Sequence, residues 1–358
     1  MMMHLLLQTD HFQALLSKLR NLVEPESVTG WPDEQLRLLT EHSVPTWNIP
    51  AEYGGEEFSS SDQLQLYRLL ASAALVTTFL LTQRNAACQR ILTSANDRMK
   101  QALLAELCPG DQFATVGISH LTTSRQHLTT PVVTVTEDDG GFRLNGMVPW
   151  ASGATKARYL VSGGTLADGR QILAALSTRD KGVQVEPPLE MMGLSSSQTG
   201  AVRLENVFVP EEDILHGPIQ NVMSSGAGGG AGSLGTSAVA IGAAQGNLMR
   251  FAAEMDRRPE LQEFWFPLND EAGRLEGELA VLSEGSPAAT QIESLRQRAN
   301  SLAIRTAQAW LAATKGAGYV TGHPAERAVR EAMFFLVWSC PRPVLEGNLR
   351  EMSRSSCP

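Results

Sequence analysis

Apolar residues recur at helical spacing through the first part of the chain. The segment "WPDEQLRLLTEH" has Pro32 near its start and acidic residues in its first turn, as helix N-termini do. "NDRMKQALLAELCPGD" is a further helical pattern, closed by Pro109 and Gly110. The longest apolar stretch, "LLASAALVTTFLL" from Leu69, predicts one buried helix, because a bilayer span needs about 20 residues. In "HFQALLSKLRNLV" one helix face carries Phe12, Leu15, Leu16, Leu19 and Leu22. The prediction is an N-terminal helical domain over residues 1–110.

The pattern changes to short strands over residues 111–217. "PVVTVTEDDGGFRLNG" predicts a β-hairpin, because a β-branched run is followed by an Asp-Asp-Gly-Gly turn and a second run. "ARYLVSGG", "RQILAALS", "GVQVEP" and "GAVRLENVFVP" are further short strands separated by Gly, Asp or Pro. Several such strands in succession predict a small β-barrel or sandwich in the middle of the chain.

Helical spacing returns over residues 218–358. After the glycine-rich "SSGAGGGAGSLG", the segment "TSAVAIGAAQGNLMRFAAEM" is apolar on all sides, which indicates a helix buried on several faces. "FPLNDEAGRLEGELAVL" and "QIESLRQRANSLAIRTAQAWLAATKGAGY" predict long amphipathic helices, the second ending at Gly316 and Gly318. Its predicted buried face is Ile292, Leu295, Ala299, Leu302, Ala309 and Ala313, interrupted only by Thr306. A last helix carrying Phe334, Phe335, Val337 and Trp338 runs up to a Ser-Cys-Pro-Arg-Pro corner.

Composition narrows the class of protein. A length of 358 residues suggests two or three packed units, and the net charge of -9 excludes a basic nucleic-acid footprint. The four cysteines form no CxxC pair, which argues against a zinc site or disulfide framework and indicates a reducing compartment. "MMMHLLLQTD" lacks a basic region and has too short an apolar run for a signal peptide. We expect a cytoplasmic protein with no membrane span and no metal.

Four motifs, in order along nearly the whole chain, resemble the acyl-CoA dehydrogenase family. "IPAEYGG" resembles the family's Ile-Pro-x-x-Tyr-Gly-Gly loop, and "LNGMVPWASGATKARYLV" its Asn-Gly-x-Lys-x-Trp-Ile-Thr-Asn-Gly strand. "MGLSSSQTGAVRLENVFVPEEDIL" is similar to its Gly-x-x-x-Ser-x-Thr stretch and the following strand. "KGAGYVTGHPAERAVREA" resembles Gly-Gly-x-Gly-Tyr, Pro-x-Glu-Arg and Arg-Asp-Ala. The resemblance implies an α+β multidomain fold with an N-terminal helical domain, a middle β-barrel and a C-terminal four-helix bundle.

The resemblance also implies FAD held against the barrel. Trp150 falls on the family's Trp, which packs near the flavin ring. Ser152 falls on a residue whose hydroxyl forms a hydrogen bond to the reactive edge of the flavin. In "ATVGISHLTTSRQH", three residues fall on the family's flavin-binding loop, namely Ile118, Ser119 and Ser124. Gly316 and Gly318 match the turn near a neighbouring subunit's FAD, although the usual Gln before it is Ala312 here. A core Trp beside a turn Ser is the plainer interpretation of Trp150 and Ser152.

The family's catalytic base is missing from both of its usual positions. Family members abstract the proton α to a thioester with a Glu in Tyr-Glu-Gly-Thr, and an ungapped alignment places Ser339 there. Other members carry the Glu on the helix after the glycine-rich segment, where this chain has Thr236-Ser237. Two ionisable residues remain as candidates, Glu346 in "LEGN" and His120 on the flavin-binding loop.

Three functions stay open at this level. The first is an FAD-dependent oxidoreductase of the acyl-CoA dehydrogenase type, acting on a small molecule such as an acyl thioester. The second is a monooxygenase on the same scaffold that uses FAD, FMN or a diffusing reduced flavin with oxygen, with Ser152, His120 and Ser339 as candidate groups. The third is a scaffold protein without catalysis. In each case the resemblance implies a homodimer or homotetramer.

Overall fold

The N-terminal part of the computed structural model is helical, as predicted. The structure describes residues 7, 9–22, 24, 26–122, 131–224 and 233–353. The first helices are α1 (Asp10–Asn21), α2 (Asp33–Glu41), α3 (Ser60–Ala73), α4 (Leu75–Leu92) and α5 (Asp97–Leu107). The apolar face predicted for α1 is buried, and Thr9 caps its N-terminus by accepting from Phe12 N at 3.3 Å.

The apolar stretch from Leu69 is two helices, which corrects the prediction of one. α3 ends and α4 begins around Ala74, whose backbone is extended (φ -147°, ψ 96°). The Glu24 carboxylate accepts from Thr77 N at 2.9 Å and from the Thr77 hydroxyl at 2.7 Å, so it caps the N-terminus of α4. Because this cap comes from 53 residues away, the local apolar pattern could not reveal the break.

The middle of the chain folds into one eight-stranded sheet with the order β6-β7-β3-β2-β4-β5-β8 and with β1 on β4. Its strands are β1 (Phe113–Gly117), β2 (Val133–Asp138), β3 (Gly141–Ala151), β4 (Ala157–Thr165), β5 (Gln171–Ser177), β6 (Val183–Val185), β7 (Gly200–Pro210) and β8 (Ile214–Ile219). The predicted hairpin is confirmed, with Val133 opposite Gly146 and Asp138 opposite Gly141. A short helix α6 (Ser119–Thr122) follows β1. β8 was not predicted, and it runs two residues past position 217.

The C-terminal helices are α7 (Leu234–Met255), α8 (Gln262–Glu284), α9 (Ala289–Gly318), α10 (Pro324–Ala332) and α11 (Arg342–Met352). α8 and α9 are antiparallel, because the ion pairs Arg298–Glu278 and Arg305–Glu271 move in opposite directions along them. α7 and α8 are antiparallel as well, so α7 and α9 run in the same direction. Within the described part of the chain, no helix combines the length and the hydropathy needed to cross a membrane.

The last aromatic helix ends earlier than the sequence predicts. α10 stops at Ala332, and residues Met333–Leu336 form a 3₁₀ turn. Pro341 disfavours helical backbone at Cys340, and Ser339 is left-handed with φ 44°. The chain must therefore leave the α-helix before the corner, and its last turn tightens.

The crossing of α3 and α7 depends on Gly242. A Cβ at this position would lie 2.1 Å from the backbone oxygen of Arg68 in α3, so the two backbones are in direct contact there. By contrast, a Cβ at Gly273 in α8 meets nothing within 4 Å.

We expect Gly242→Ala to lower the free energy of unfolding by about 2 kcal/mol, because overpacking forces the helices apart. The matched variant Gly273→Ala should raise it by about 0.5–1 kcal/mol through helix propensity. Urea denaturation followed by circular dichroism measures both. Equal effects of the two substitutions would contradict the close contact at Gly242.

Candidate functional site

A chain of buried hydroxyl groups joins three segments of the sheet domain. Ser152 Oγ lies 2.7 Å from Thr199 Oγ1, which lies 2.8 Å from Ser197 Oγ. The Thr115 hydroxyl donates to the Ser152 carbonyl at 2.7 Å, which fixes the end of β3 against β1. The three linked hydroxyls have three hydrogens but form two hydrogen bonds with each other. One O–H, at Ser152, Thr199 or Ser197, is therefore left to donate outside the chain.

Trp150 lies at the surface beside this hydroxyl chain. Its side chain is 46% exposed, whereas Ala151 and Ser152 are buried. Successive strand residues point to opposite faces, so Trp150 stands on the outer face of β3. An exposed indole at the end of a strand offers an aromatic surface to a planar ligand.

The loop after β1 carries two adjacent side chains with unsatisfied polar atoms. Within the described part of the chain, the Ser119 hydroxyl is buried without a hydrogen-bond partner, and so is His120 Nδ1. His120 Nε2 lies 3.0 Å from the Gly163 carbonyl, which can only accept, so Nε2 carries the proton and Nδ1 is an acceptor. Burial lowers the pKa of His120, with the Gly163 bond opposing that shift. Ile118 is half-buried next to them, and Ser124 lies outside the described residues.

Aromatic rings lie next to the corner that contains Ser339. The Trp338 ring stacks on Phe334 at 5.1 Å and meets Phe79 of α4 edge-on at 5.2 Å. Burial raises the pKa of the neighbouring Cys340 thiol, so this cysteine is a poor nucleophile at neutral pH. The corner therefore has an aromatic cluster on one side, while Ser339 itself is half-buried and Val337 is 75% exposed.

Glu346 faces solvent on α11. It bonds Arg342 at 2.8 Å and Arg350 at 3.2 Å, and the Arg342 hydrogen bond lowers the pKa of its carboxyl. A carboxylate stabilised in this way is a weak base. The other position considered for a base holds Thr236, whose hydroxyl donates to the Ser233 carbonyl at 2.7 Å, and Ser237.

The turn with Gly316 and Gly318 ends α9. Lys315 has a non-helical backbone there (φ 56°, ψ -148°), and Tyr319 is 81% exposed. A Cβ at Gly316 would meet nothing within 4 Å, so the turn leaves open space on its outer side.

Two buried polar residues of α9 were not predicted. Arg296 and Asn300 are fully buried, beside the predicted apolar face of Leu295, Ala299 and Leu302. Burial lowers the pKa of Arg296 to about 9. Arg296 and Asn300 are four residues apart and therefore lie on one helix face. This spacing is the signal in the sequence that could have identified them as a pair. Among the described residues, no cluster of His, Cys, Asp and Glu could hold a metal ion.

Comparisons with known proteins agree on one superfamily. The family model described as "Acyl-CoA dehydrogenase, N-terminal domain" matches residues 15–111. The chain is 23% identical to an acyl-CoA dehydrogenase of Bacillus subtilis (strain 168) over 86% of each chain. It is 30% identical to isobutylamine N-hydroxylase of Streptomyces viridifaciens, but that alignment spans only 47% of each protein.

A search of solved structures identifies the same fold. The glutaryl-coenzyme A dehydrogenase glutaryl-CoA complex superposes with a TM-score of 0.79 at 20% identity. That superposition covers 94% of this chain and 93% of the other. The predicted order of helical domain, sheet domain and C-terminal helices is therefore confirmed.

We expect the titration of His120 to make the stability of the protein depend on pH. Its folded-state pKa lies below the unfolded value of about 6.5, so protons bind the unfolded chain more strongly. Stability should therefore be complete above pH 6.5 and fall as the pH drops below that value. His120→Gln, which keeps an N–H donor for Gly163, should show a weaker fall.

Urea midpoints at pH 7.5, 6.5 and 5.5 test this expectation. Ser60→Ala, at an exposed position, is the control and should keep the pH dependence of the unsubstituted protein. If His120→Gln and Ser60→Ala show the same pH dependence, the buried neutral imidazole is not its source.

Proposed function

Because the chain belongs to the acyl-CoA dehydrogenase superfamily, we propose that it is a flavin-dependent oxidoreductase and, more narrowly, a monooxygenase. The observation that carries the narrower proposal is that neither usual position of the base has a carboxylate. In the ungapped alignment Ser339 falls on one position and Thr236-Ser237 on the other, while Glu346 is held at the surface by two arginines. Abstraction of a proton α to a thioester needs such a base, whereas oxygen transfer does not.

The residues present are compatible with a flavin. The buried, unpartnered hydroxyl of Ser119 and the spare O–H of the Ser152 chain offer hydrogen bonds to a ligand with ring carbonyl and nitrogen groups. The exposed ring of Trp150 offers an aromatic surface. We propose that these side chains, with the backbone at Ile118, hold FAD, with FMN or a transferred reduced flavin as the alternatives. When bound and reduced, a flavin supplies the two electrons that oxygen activation requires.

The chain's own groups have separate roles in this proposal. The aromatic cluster of Phe79, Phe334 and Trp338 next to Ser339 provides an apolar wall against which a substrate can pack. His120 is neutral, because burial lowers its pKa, and its Nδ1 can accept a hydrogen bond from a donor in the site. The hydroxyl chain of Ser152, Thr199 and Ser197 can donate one hydrogen bond. In the overall reaction one oxygen atom enters the substrate and the other leaves as water.

Similarity to named proteins supports both the class, a flavin-dependent oxidoreductase, and the choice of a monooxygenase within that class. One relative is named isobutylamine N-hydroxylase and another acyl-CoA dehydrogenase, so the scaffold serves both kinds of chemistry. Since this chain lacks the carboxylate that dehydrogenation needs, we propose that it shares the chemistry of the first. Its substrate is then a small molecule rather than a nucleic acid.

We also propose a homodimer or homotetramer. Tyr319 and Val320, directly after the Gly316–Gly318 turn, are 81% and 63% exposed. Val281 of α8 and Val337 at the aromatic corner are 71% and 75% exposed. Large apolar side chains exposed at several places on the C-terminal helices are typical of surfaces that a second subunit covers.

The test starts from the absorption spectrum of the purified protein with added FAD and FMN. We expect flavin uptake, and Ser119→Ala should weaken it about tenfold through one lost hydrogen bond. The exposed Ser60→Ala is the matched control. Failure of the unsubstituted protein to take up either flavin would leave the scaffold function.

Two further assays separate oxygenation from dehydrogenation. We expect short, medium and long acyl-CoA esters to leave the oxidised flavin unreduced. With a flavin reductase and NADH, we expect ¹⁸O from ¹⁸O₂ in the products of a panel of small primary amines and carboxylic acids. Bleaching of the flavin by an acyl-CoA would instead establish dehydrogenase activity.

A further inference from the structure

A polar cavity of about 300 Å³ lies at the edge of the sheet where β4 begins and β5 ends. Strand pairing sets this place, because Phe113 at the start of β1 lies opposite Ala157, and Tyr159 lies opposite Ser177 at the end of β5. The residues next to these pairs therefore meet at one edge of the sheet. The polar side chains that line the cavity are those of Gln112, Thr155, Lys156, Arg158, Thr178 and Arg179.

Three of these side chains are cationic, and none of the described residues that line the cavity is acidic. Arg170 and Arg203, elsewhere in the sheet domain, each pair with a carboxylate, at 2.6 and 3.0 Å. Within the described part of the chain, Lys156, Arg158 and Arg179 form no such ion pair. Because the whole chain carries a net charge of -9, this cavity is a local concentration of positive charge in an acidic protein.

Two aspartates adjoin the cavity in the sequence without lining it. Asp111 precedes Gln112 and Asp180 follows Arg179, and both are exposed. A ligand inside the cavity therefore meets the three cationic side chains at short range and no carboxylate among the described residues that surround it.

The walls of the cavity are held by hydrogen bonds between strand ends. The Thr178 hydroxyl donates to the Ala157 carbonyl at 2.6 Å, and the Thr178 N–H donates to the Arg158 carbonyl at 3.1 Å. Arg158 is half-buried, and its guanidinium carbon lies 5.5 Å from the centre of the Tyr159 ring. Part of the site is thus ordered before a ligand arrives, which lowers the entropic cost of binding.

The cavity adjoins the hydroxyl chain of the candidate site. Ala154 and Thr155 follow Ser152 by two and three residues, so at most about 7 Å separates the Cα atoms of Ser152 and Ala154. The Thr155 hydroxyl donates to the side-chain oxygen of Gln198, which precedes Thr199 of the hydroxyl chain. A small molecule with one end beside Ser152 can therefore reach the cavity with its other end.

The chemistry of the lining favours a phosphoryl group. A guanidinium presents several N–H donors in one plane, an ammonium is a compact point charge, and both bind phosphate oxygens. A carboxylate brings one negative charge, which a single cation balances, whereas a phosphate monoester brings nearly two. Three cations without a carboxylate partner match the larger charge.

We propose that Lys156, Arg158 and Arg179 bind the phosphoryl group of a small molecule whose other end lies beside Ser152. This assignment rests on the proposed function, and it places that molecule among the phosphate esters, either as the substrate or as a flavin nucleotide. The amide of Gln112 supplies a neutral donor at the same edge of the sheet.

Isothermal titration calorimetry with inorganic phosphate, at pH 8 and constant ionic strength, tests the site. We expect phosphate to bind and acetate to give no binding heat. In the double variant Lys156→Gln/Arg179→Gln the apparent Kd for phosphate should be about tenfold or more weaker, because two charge-assisted contacts are lost. The matched control Lys18→Gln/Lys181→Gln removes the same charge at exposed positions outside the cavity, and it should bind phosphate normally.

Two results would overturn the site. Equal weakening of phosphate binding in the two double variants would mean that only the total charge of the protein matters. Equal binding of phosphate and acetate by the unsubstituted protein would mean that the cavity does not select a phosphoryl group. Both double variants change exposed side chains, so both should keep the Tm of the unsubstituted protein.

Riboflavin and FMN distinguish the two sources of the phosphoryl group. If Lys156→Gln/Arg179→Gln weakens FMN binding about tenfold and leaves riboflavin binding unchanged, the phosphate is that of the flavin. If it changes neither while inorganic phosphate no longer binds, the phosphate belongs to the substrate. Phosphate binding through the cavity without any flavin uptake would end the proposed function and leave the site. Flavin uptake without phosphate binding would end only the site.

Discussion

The carboxylate of Glu24 connects two helices that are far apart in the sequence, α4 of the N-terminal region and α10 of the C-terminal region. One oxygen caps α4 through Thr77, and the other lies 3.3 Å from Arg327 of α10. Arg327 in turn bonds Glu331 at 2.6 Å, and burial raises the pKa of that second carboxyl. The break between α3 and α4, the start of α4 and the position of α10 all depend on this one buried group. The aromatic contact of α4 with the Ser339 corner follows from it.

The sequence predicts the order of the parts well because the parts differ in period. Helical spacing in α1 and α9 and the alternation of buried and exposed residues in β7 both arise because one face of the element is buried, so the local sequence contains both patterns. The hairpin of β2 and β3 is likewise set by its Asp-Asp-Gly-Gly turn. The break at Ala74 was missed because its cap is remote in sequence. The early end of α10 at Ala332 was missed because the apolar run continues to Trp338 and carries no local signal for the change to a 3₁₀ turn.

Prediction of the site was less complete for a related reason. Ser119, His120 and Ser152 were found by resemblance, and the structure adds that Ser119 Oγ and His120 Nδ1 are unpaired and that Ser152 belongs to a hydroxyl chain. Hydrogen-bond satisfaction depends on three-dimensional neighbours, so no sequence pattern contains it. Arg296 illustrates the limit, because a charged residue in an amphipathic helix is ordinarily assigned to the solvent face. The fold shows instead that Arg296 is fully buried.

The glycine contact between α3 and α7 also restricts how this protein can adapt to different ligands. With the backbone of Gly242 against that of Arg68, α7 cannot slide along or rotate about its axis without a clash. The side chains of α7 that face α9 therefore keep one fixed height. A change in ligand size must be accommodated outside this helix crossing, and the non-helical segment from Val337 to Pro341 is one such place. Divergence of substrate preference among close homologues should accordingly concentrate in that short corner and spare the helix beside it.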